Sequence, residues 1–204
     1  MRAVIIGNGN ISDDAYIKKY LQSGDVIICA DGGYNHAVRM QVKPDIVIGD
    51  MDSVCRDVRG IPNVVYPKRK DFTDGELAVR HALEQGADEV LLLGFTGTRL
   101  DHTLTNIFLL KLIADAGKTG FLADENNEIY LSEQENLIRG RQGDLVSIVP
   151  LEDMYGIYTE RLEYPLKDET LYFGQSRGVS NVMLAADCRI TVRQGFGLII
   201  KSRD

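Results

Sequence analysis

Two acidic turns, Gly49-Asp50-Met51-Asp52-Ser53 and Lys70-Asp71-Phe72-Thr73-Asp74, carry the residues in this chain best suited to chemistry. Each follows a short apolar run of strand character, so their carboxylates should gather at the ends of neighbouring strands. Uncompensated carboxylates repel one another and resist desolvation, which makes such a cluster costly unless a hard cation neutralises it. Magnesium suits an incomplete cage of this kind, because it takes a few carboxylate oxygens and fills its shell with water and substrate phosphates. Asp50 and Asp52 sit two apart and converge on one ion or form a solvated acidic turn. Asp71 and Asp74 add to the first reading from a second turn. Asp74 also has a structural reason to be there, since the first turn of a helix favours negative charge.

Three more turns fall where strands should end. Gly7-Asn8-Gly9-Asn10 offers backbone N–H groups to a phosphate or is a plain turn, since the third glycine of a dinucleotide fingerprint is missing. No GxxxxGK[ST] is present, which argues against a P-loop nucleotidase. Asp31-Gly32-Gly33 holds a nucleotide hydroxyl or metal-bound water, or simply caps a helix. In Gly97-Thr98-Arg99-Leu100-Asp101-His102, Asp101 either orients the Arg99 guanidinium for bidentate phosphate contact or forms a structural pair with it. His102 is a base, a ligand or a structural residue after a cap. Of Lys68, Arg69 and Lys70, Lys70 stands nearest the acidic turn and is the one to neutralise phosphoryl oxygens.

The elements that must position these turns alternate in the first half. Strands are expected at Ala3 to Ile6, Val26 to Ala30, Ile46 to Ile48, Val64 to Tyr66, Val90 to Leu93 and Gly120 to Ala123, with helices between them. Ser12 is placed to cap a helix reaching about Gln22, followed by Gly24. Thr73-Asp74-Gly75-Glu76 is a capping box, and Asp101 is placed to cap a third helix closed by Gly117. After Asn127 short strands recur without long helices, at Glu128 to Leu131, Leu145 to Val149, Thr170 to Phe173, Arg189 to Val192 and Gly197 to Lys201. The expected fold class is α/β, with an N-terminal parallel-sheet α/β domain over 1–127 followed by a smaller antiparallel β-sandwich over 128–204.

At 204 residues, 44% hydrophobic and 26% charged, the chain reads as an ordinary globular protein. A net charge of -7 argues against a nucleic-acid partner. Cys29, Cys55 and Cys188 lack the spacing of a zinc site or disulfide scaffold. The opening residues do not form a signal-peptide core, and no apolar run approaches the roughly 20 residues of a membrane span, so no membrane partner and a cytoplasmic location are expected.

Taken together, Asp31-Gly32-Gly33, Pro44-Asp45 with Gly49 to Ser53, Lys70 to Glu76 and Gly97 to His102 resemble the thiamine pyrophosphokinase family, in order as well as type. Gly178-Val179-Ser180-Asn181 resembles the family's thiamine-side motif. The resemblance implies a homodimer that transfers the pyrophosphoryl group of ATP to the thiamine hydroxyl, releasing AMP. It implies a catalytic α/β domain binding ATP and magnesium, and a β domain that helps hold thiamine. It assigns Asp50, Asp52 and Asp74 to the metal, and Asp31, Gly32, Lys70, Thr73 and Arg99 to the nucleotide. Asp71, Asp74, Arg99 and Asp101 fall to the transfer step, with Asp71 or Asp101 as candidate base, and Ser180 and Asn181 to thiamine. Some members place a tryptophan against the thiamine rings, whereas this chain has none. Met183 is a candidate replacement. That departure keeps open another hydroxymethyl heterocycle, such as a pterin, as acceptor; a non-catalytic ATP sensor is a third reading.

Overall fold

Unbroken apolar runs, rather than alternating ones, build strands β1 (Arg2–Ile6), β2 (Val26–Ala30), β3 (Ile46–Gly49) and β5 (Glu89–Leu93), beside the more exposed β4 (Asn63–Val65) and β6 (Thr119–Ala123). The computed structural model describes residues 1–55, 58, 60–69 and 71–203. In it these strands pair in parallel in the order β6-β5-β1-β2-β3-β4. All but the first residue of β1, β2 and β5 is buried, as expected for parallel strands covered on both faces. Ile5, Leu91 and Leu92 are fully buried. The chain moves outward from β1 through β2 to β4 and then returns to β1's other side with β5. That reversal is a switch point, where the carboxyl ends of an open α/β sheet leave a crevice.

Among the described residues four α-helices accompany the sheet: α1 (Asp14–Ile17), α2 (Gly33–Arg39), α3 (Asp74–Glu84) and α4 (Leu100–Asp115). Half of the expected capping box forms: Thr73 at the N-cap of α3 accepts from the Glu76 N–H, while the Glu76 carboxylate goes to Arg80, and Leu77, Ala78, Val79 and Ala82 are buried. Two expectations need correction. The helix expected from Ser12 to Gln22 is only α1 and one 3-10 turn, Lys18–Tyr20, and its cap is Asp13. Ser12 instead gives both its N–H and its hydroxyl to Glu125. Arg2 takes the Tyr20 carbonyl and Asp25 takes the Gln22 N–H, so tertiary partners satisfy the backbone where a longer helix would have. Asp101 is not the cap of α4 either: Arg99 holds that position, and Asp101 lies in the first turn.

Helix α2 bears out the capping alternative at Asp31-Gly32-Gly33, with Gly32 as its N-cap and no side-chain cap bond. Its closeness to β1 is why Gly33 is glycine: a Cβ there would lie 1.9 Å from the Ile6 carbonyl oxygen.

The chain divides into two compact units, Met1–Glu125 and Asn126–Asp204. In the second, strands β7 (Asn127–Leu131), β8 (Glu135–Arg139), β9 (Leu145–Pro150), β10 (Met154–Glu160), β11 (Lys167–Leu171), β12 (Asn181–Val182), β13 (Asp187–Gln194) and β14 (Gly197–Ser202) are antiparallel. They run β12-β9-β14-β7 and β11-β10-β13-β8. Burial alternates along β8 and β9, and the inward residues, among them Ile148, Met154, Ile157 and Ile190, form one core. The α/β half followed by an antiparallel β half is thus as the sequence indicated. Strands β8, β10 and the two-residue β12 were missed, β10 because Gly156 interrupts it at a register shift. Strand β11 ends before Tyr172, since the Phe173 N–H turns away to Asp153.

Two of the three cysteines belong to the cores. Burial pushes the Cys29 thiol up to about 12 and the Cys188 thiol up to about 11, while Cys55 is exposed. A thiol reagent such as DTNB should therefore titrate Cys55 alone in the native protein and all three thiols in denaturant. Rapid native reaction of two or more would contradict this packing.

Candidate active site

Level ends of parallel strands converge the acidic turns. Register pairs Ala30 of β2 with Ile48 of β3, and Gly49 with Val65 of β4, so the residues that follow leave the sheet side by side. Asp31 follows β2, Asp50 follows β3 and Asp74 opens α3. One carboxylate oxygen from each lies within 4.8 Å of the others. Gly49 permits this approach: a Cβ there would lie 2.9 Å from the Asp31 Cβ and 3.1 Å from Asp74 Oδ1.

Asp31 is buried, at 8% exposure, and has a left-handed backbone with φ of +44°. Its Oδ1 is enclosed and has no hydrogen-bond partner. A buried ionised oxygen without a donor carries its full desolvation cost. Beside two further carboxylates, it fits a hard cation that accepts oxygen ligands and tolerates solvent in the rest of its shell. Asp31, Asp50 and Asp74 are the residues placed to hold one.

Asp52 stands apart from that trio. Its carboxylate meets Lys68 Nζ at 2.6 Å and accepts from the Ser53 hydroxyl, while its N–H donates to Asp50 Oδ1 at 3.1 Å. Lys68 beside it holds its carboxyl below the usual carboxylate range. Asp71 is exposed and does not line the cleft, whereas Thr73 does. Lys70 lies outside the described residues. Gly32 is the buried N-cap of α2. Gly7 and Gly9 give their N–H groups to the Leu93 and Gly94 carbonyls, so that turn is tied to its neighbour rather than opened to a phosphate.

The carboxylates form one wall of a cleft of about 670 Å³. The opposite wall is the turn after β5 and the start of α4. Arg99 donates to Asp101 through Nε at 3.2 Å and Nη2 at 2.6 Å. Both side chains are about two-thirds exposed, so the pair is open to an arriving anion. The Arg99 fork holds the Asp101 carboxyl at about 2, which makes Asp101 a poor proton acceptor and a good orienter. His102 also lines this wall.

Asn106 and Thr103 on the same wall were missed. Thr103 follows Arg99 by four residues and Asn106 follows His102 by four, a helical spacing that keeps them on the same side, and that periodicity was the available signal. Asn106 donates to the Phe95 carbonyl, and Thr103 bonds the Gly97 N–H, so they fix the turn that carries Arg99.

In the second unit, the Ser180 N–H donates to the Ser147 hydroxyl, and Asn181 exchanges two hydrogen bonds with the Tyr164 backbone. Met183, the suggested replacement for an aromatic contact, is fully buried in that unit's core and presents no face to a ligand.

Residues 17–119 match the family model for the thiamin pyrophosphokinase catalytic domain, and residues 126–196 that for the thiamin pyrophosphokinase vitamin B1 binding domain. The chain is 28% identical over 170 residues to thiamine pyrophosphokinase of Bacillus subtilis (strain 168), covering 79% of each protein. It is 26% identical over 196 residues to thiamine pyrophosphokinase 1 of Oryza sativa subsp. japonica, covering 80% of this chain and 74% of the relative. Among solved structures, that of thiamine pyrophosphokinase from Bacillus subtilis superposes with a TM-score of 0.91 at 25% identity over the whole of both chains. That of thiamin pyrophosphokinase from Geobacillus thermodenitrificans gives 0.87 at 24% identity, over 100% of this chain and 98% of the other.

Proposed function

The chain belongs to the thiamine pyrophosphokinase family, and on that premise we propose that it transfers the pyrophosphoryl group of ATP to thiamine, with magnesium, as a cytoplasmic homodimer. The observation that carries the metal and nucleotide reading is the carboxylate trio of Asp31, Asp50 and Asp74, with its unpartnered buried oxygen, facing Arg99 across one cleft. Asp31, Asp50 and Asp74 would hold the cation, which supplies charge neutralisation and orientation for the polyphosphate.

The reaction asks the protein mainly for positioning and charge balance. The thiamine hydroxyl oxygen forms a bond to the β-phosphorus as the bond from that phosphorus to the oxygen shared with the α-phosphate breaks. AMP leaves, and the hydroxyl proton passes to a base. Arg99 neutralises phosphoryl oxygens, with Asp101 orienting its fork and Lys68 adding positive charge at the rim through Asp52. Thr73 fixes the first turn of α3 and so the position of Asp74. Lys70 beside the acidic turn, and Ser180 and Asn181 on the thiamine side, complete the reading on the resemblance of their motifs.

Phosphorus NMR of the protein with ATP, magnesium and thiamine tests this. AMP and thiamine diphosphate should appear in step, and only when thiamine is present. ADP in place of AMP would mean attack at the γ-phosphorus and would overturn the proposal.

A further inference from the structure

Helix α2 contributes no residue to the carboxylate trio, yet two of its adjacent side chains hold the two walls of the cleft. Asn35 Nδ2 donates to the Ser53 carbonyl at 2.9 Å, and Asn35 Oδ1 accepts from the Cys55 N–H at 3.0 Å. The segment so clasped is the turn that carries Asp50 and Asp52. On the other side, His36 Nε2 meets the Gly9 carbonyl at 2.8 Å. A carbonyl can only accept, so Nε2 carries the proton. Burial disfavours the imidazolium, and Nδ1 is enclosed without a partner. The Gly9 turn is bonded in its turn to the opposite wall, with Gly9 N–H to the Gly94 carbonyl at 2.6 Å and Asn10 N–H to the Thr96 carbonyl at 2.7 Å.

Neither pairing is needed to complete α2 itself, since the bonds leave the helix for two separate loops. A half-buried imidazole whose enclosed Nδ1 is left unsatisfied costs free energy, which the single bond to Gly9 only partly offsets. We infer that Asn35 and His36 are positioning residues that set the spacing between the carboxylate wall and the Arg99 wall, Asn35 acting through the Asp50 turn and His36 through Gly9. This rests on the function proposed above for the cleft, but the bracing itself does not require turnover to be seen.

Three variants test it: Asn35→Ala, His36→Leu and His36→Gln, the last keeping an N–H at about the position of Nε2. Binding of Mn2+ alone, followed by electron paramagnetic resonance, reads the carboxylate wall without any reaction. Asn35→Ala should weaken Mn2+ about tenfold, as loss of an outer-shell partner does. The same variant should speed the reaction of Cys55 with DTNB. His36→Leu should leave Mn2+ affinity and the Cys55 rate unchanged while lowering kcat/KM for ATP on the order of tenfold, through misplacement of the opposite wall. His36→Gln should restore most of that loss. A purely structural role for α2 predicts instead that both positions lower the melting temperature and shift every readout together, or shift none; either result would overturn the inference. If the wild-type protein makes no AMP, the functional reading fails, and the Mn2+ and Cys55 measurements still decide the role of Asn35.

Discussion

Asp50→Asn is expected to lower kcat/KM for pyrophosphoryl transfer by about 100-fold to 1,000-fold, or about 3 kcal/mol of transition-state stabilisation, as removal of one preorganised charge-stabilising group does. Asp31→Asn should lose as much, because its buried Oδ1 has no other partner to satisfy. Asp52→Asn should lose less, since that carboxylate is engaged by Lys68 and Ser53. Ranking these variants by steady-state kinetics at saturating magnesium distinguishes a trio completed by Asp31 from one completed by Asp52. In metal-free buffer, Asp50→Asn should melt no lower than the parent, because neutralising one of three crowded carboxylates relieves repulsion. Added magnesium should raise the melting temperature of the parent by mass action and that of the variant little. Near-normal turnover of Asp50→Asn and Asp31→Asn would sink the metal assignment, and a collapsed melting temperature would point to a structural role.

Gly33→Ala is expected to destabilise the protein by about 3 kcal/mol, at the upper end for overpacking a close contact. The obstacle is backbone. The added Cβ would meet the Ile6 carbonyl oxygen at 1.9 Å and its carbon at 2.6 Å, and neither can swing aside as a side-chain tip would. Relief requires α2 to lift from the end of β1. Urea unfolding should show a lower midpoint with an unchanged slope. A midpoint equal to that of the parent would mean that α2 does not lie so close to β1.

The parallel strands were readable because burial on both faces leaves unbroken apolar runs, as in Val90 to Leu93. The helix α3 was readable because Thr73 and Glu76 form a local cap. What escaped reading depended on partners distant in sequence. Nothing near Tyr20 announces that Arg2 will take its carbonyl and end the helix there. Likewise, nothing in Asn35-His36 announces that the two side chains reach opposite loops. At the site, the acidic turns and the Arg99-Asp101 pair were legible as motifs. That Asp31, rather than Asp52, lies with Asp50 and Asp74 depends on the register of β2 against β3, which composition does not specify. The residue matched to the family's metal set and the residue the strand ends bring into the cluster therefore differ.

The pairing order within each unit also constrains when the protein can fold during synthesis. Strand β1 lies between β2 and β5, so one edge of β1 stays open until residues 89–93 have emerged. In the second unit the delay is longer relative to its size: β14 lies between β7 and β9, and Leu131 waits for Leu198. Before then both neighbours present unpaired N–H and C=O groups, the edges through which incomplete chains associate. Both edges are therefore without their shared partner while residues 151–196 are being added. Shortening it before residue 197 would leave β7 and β9 with no strand between them, whatever the quality of the catalytic cleft upstream.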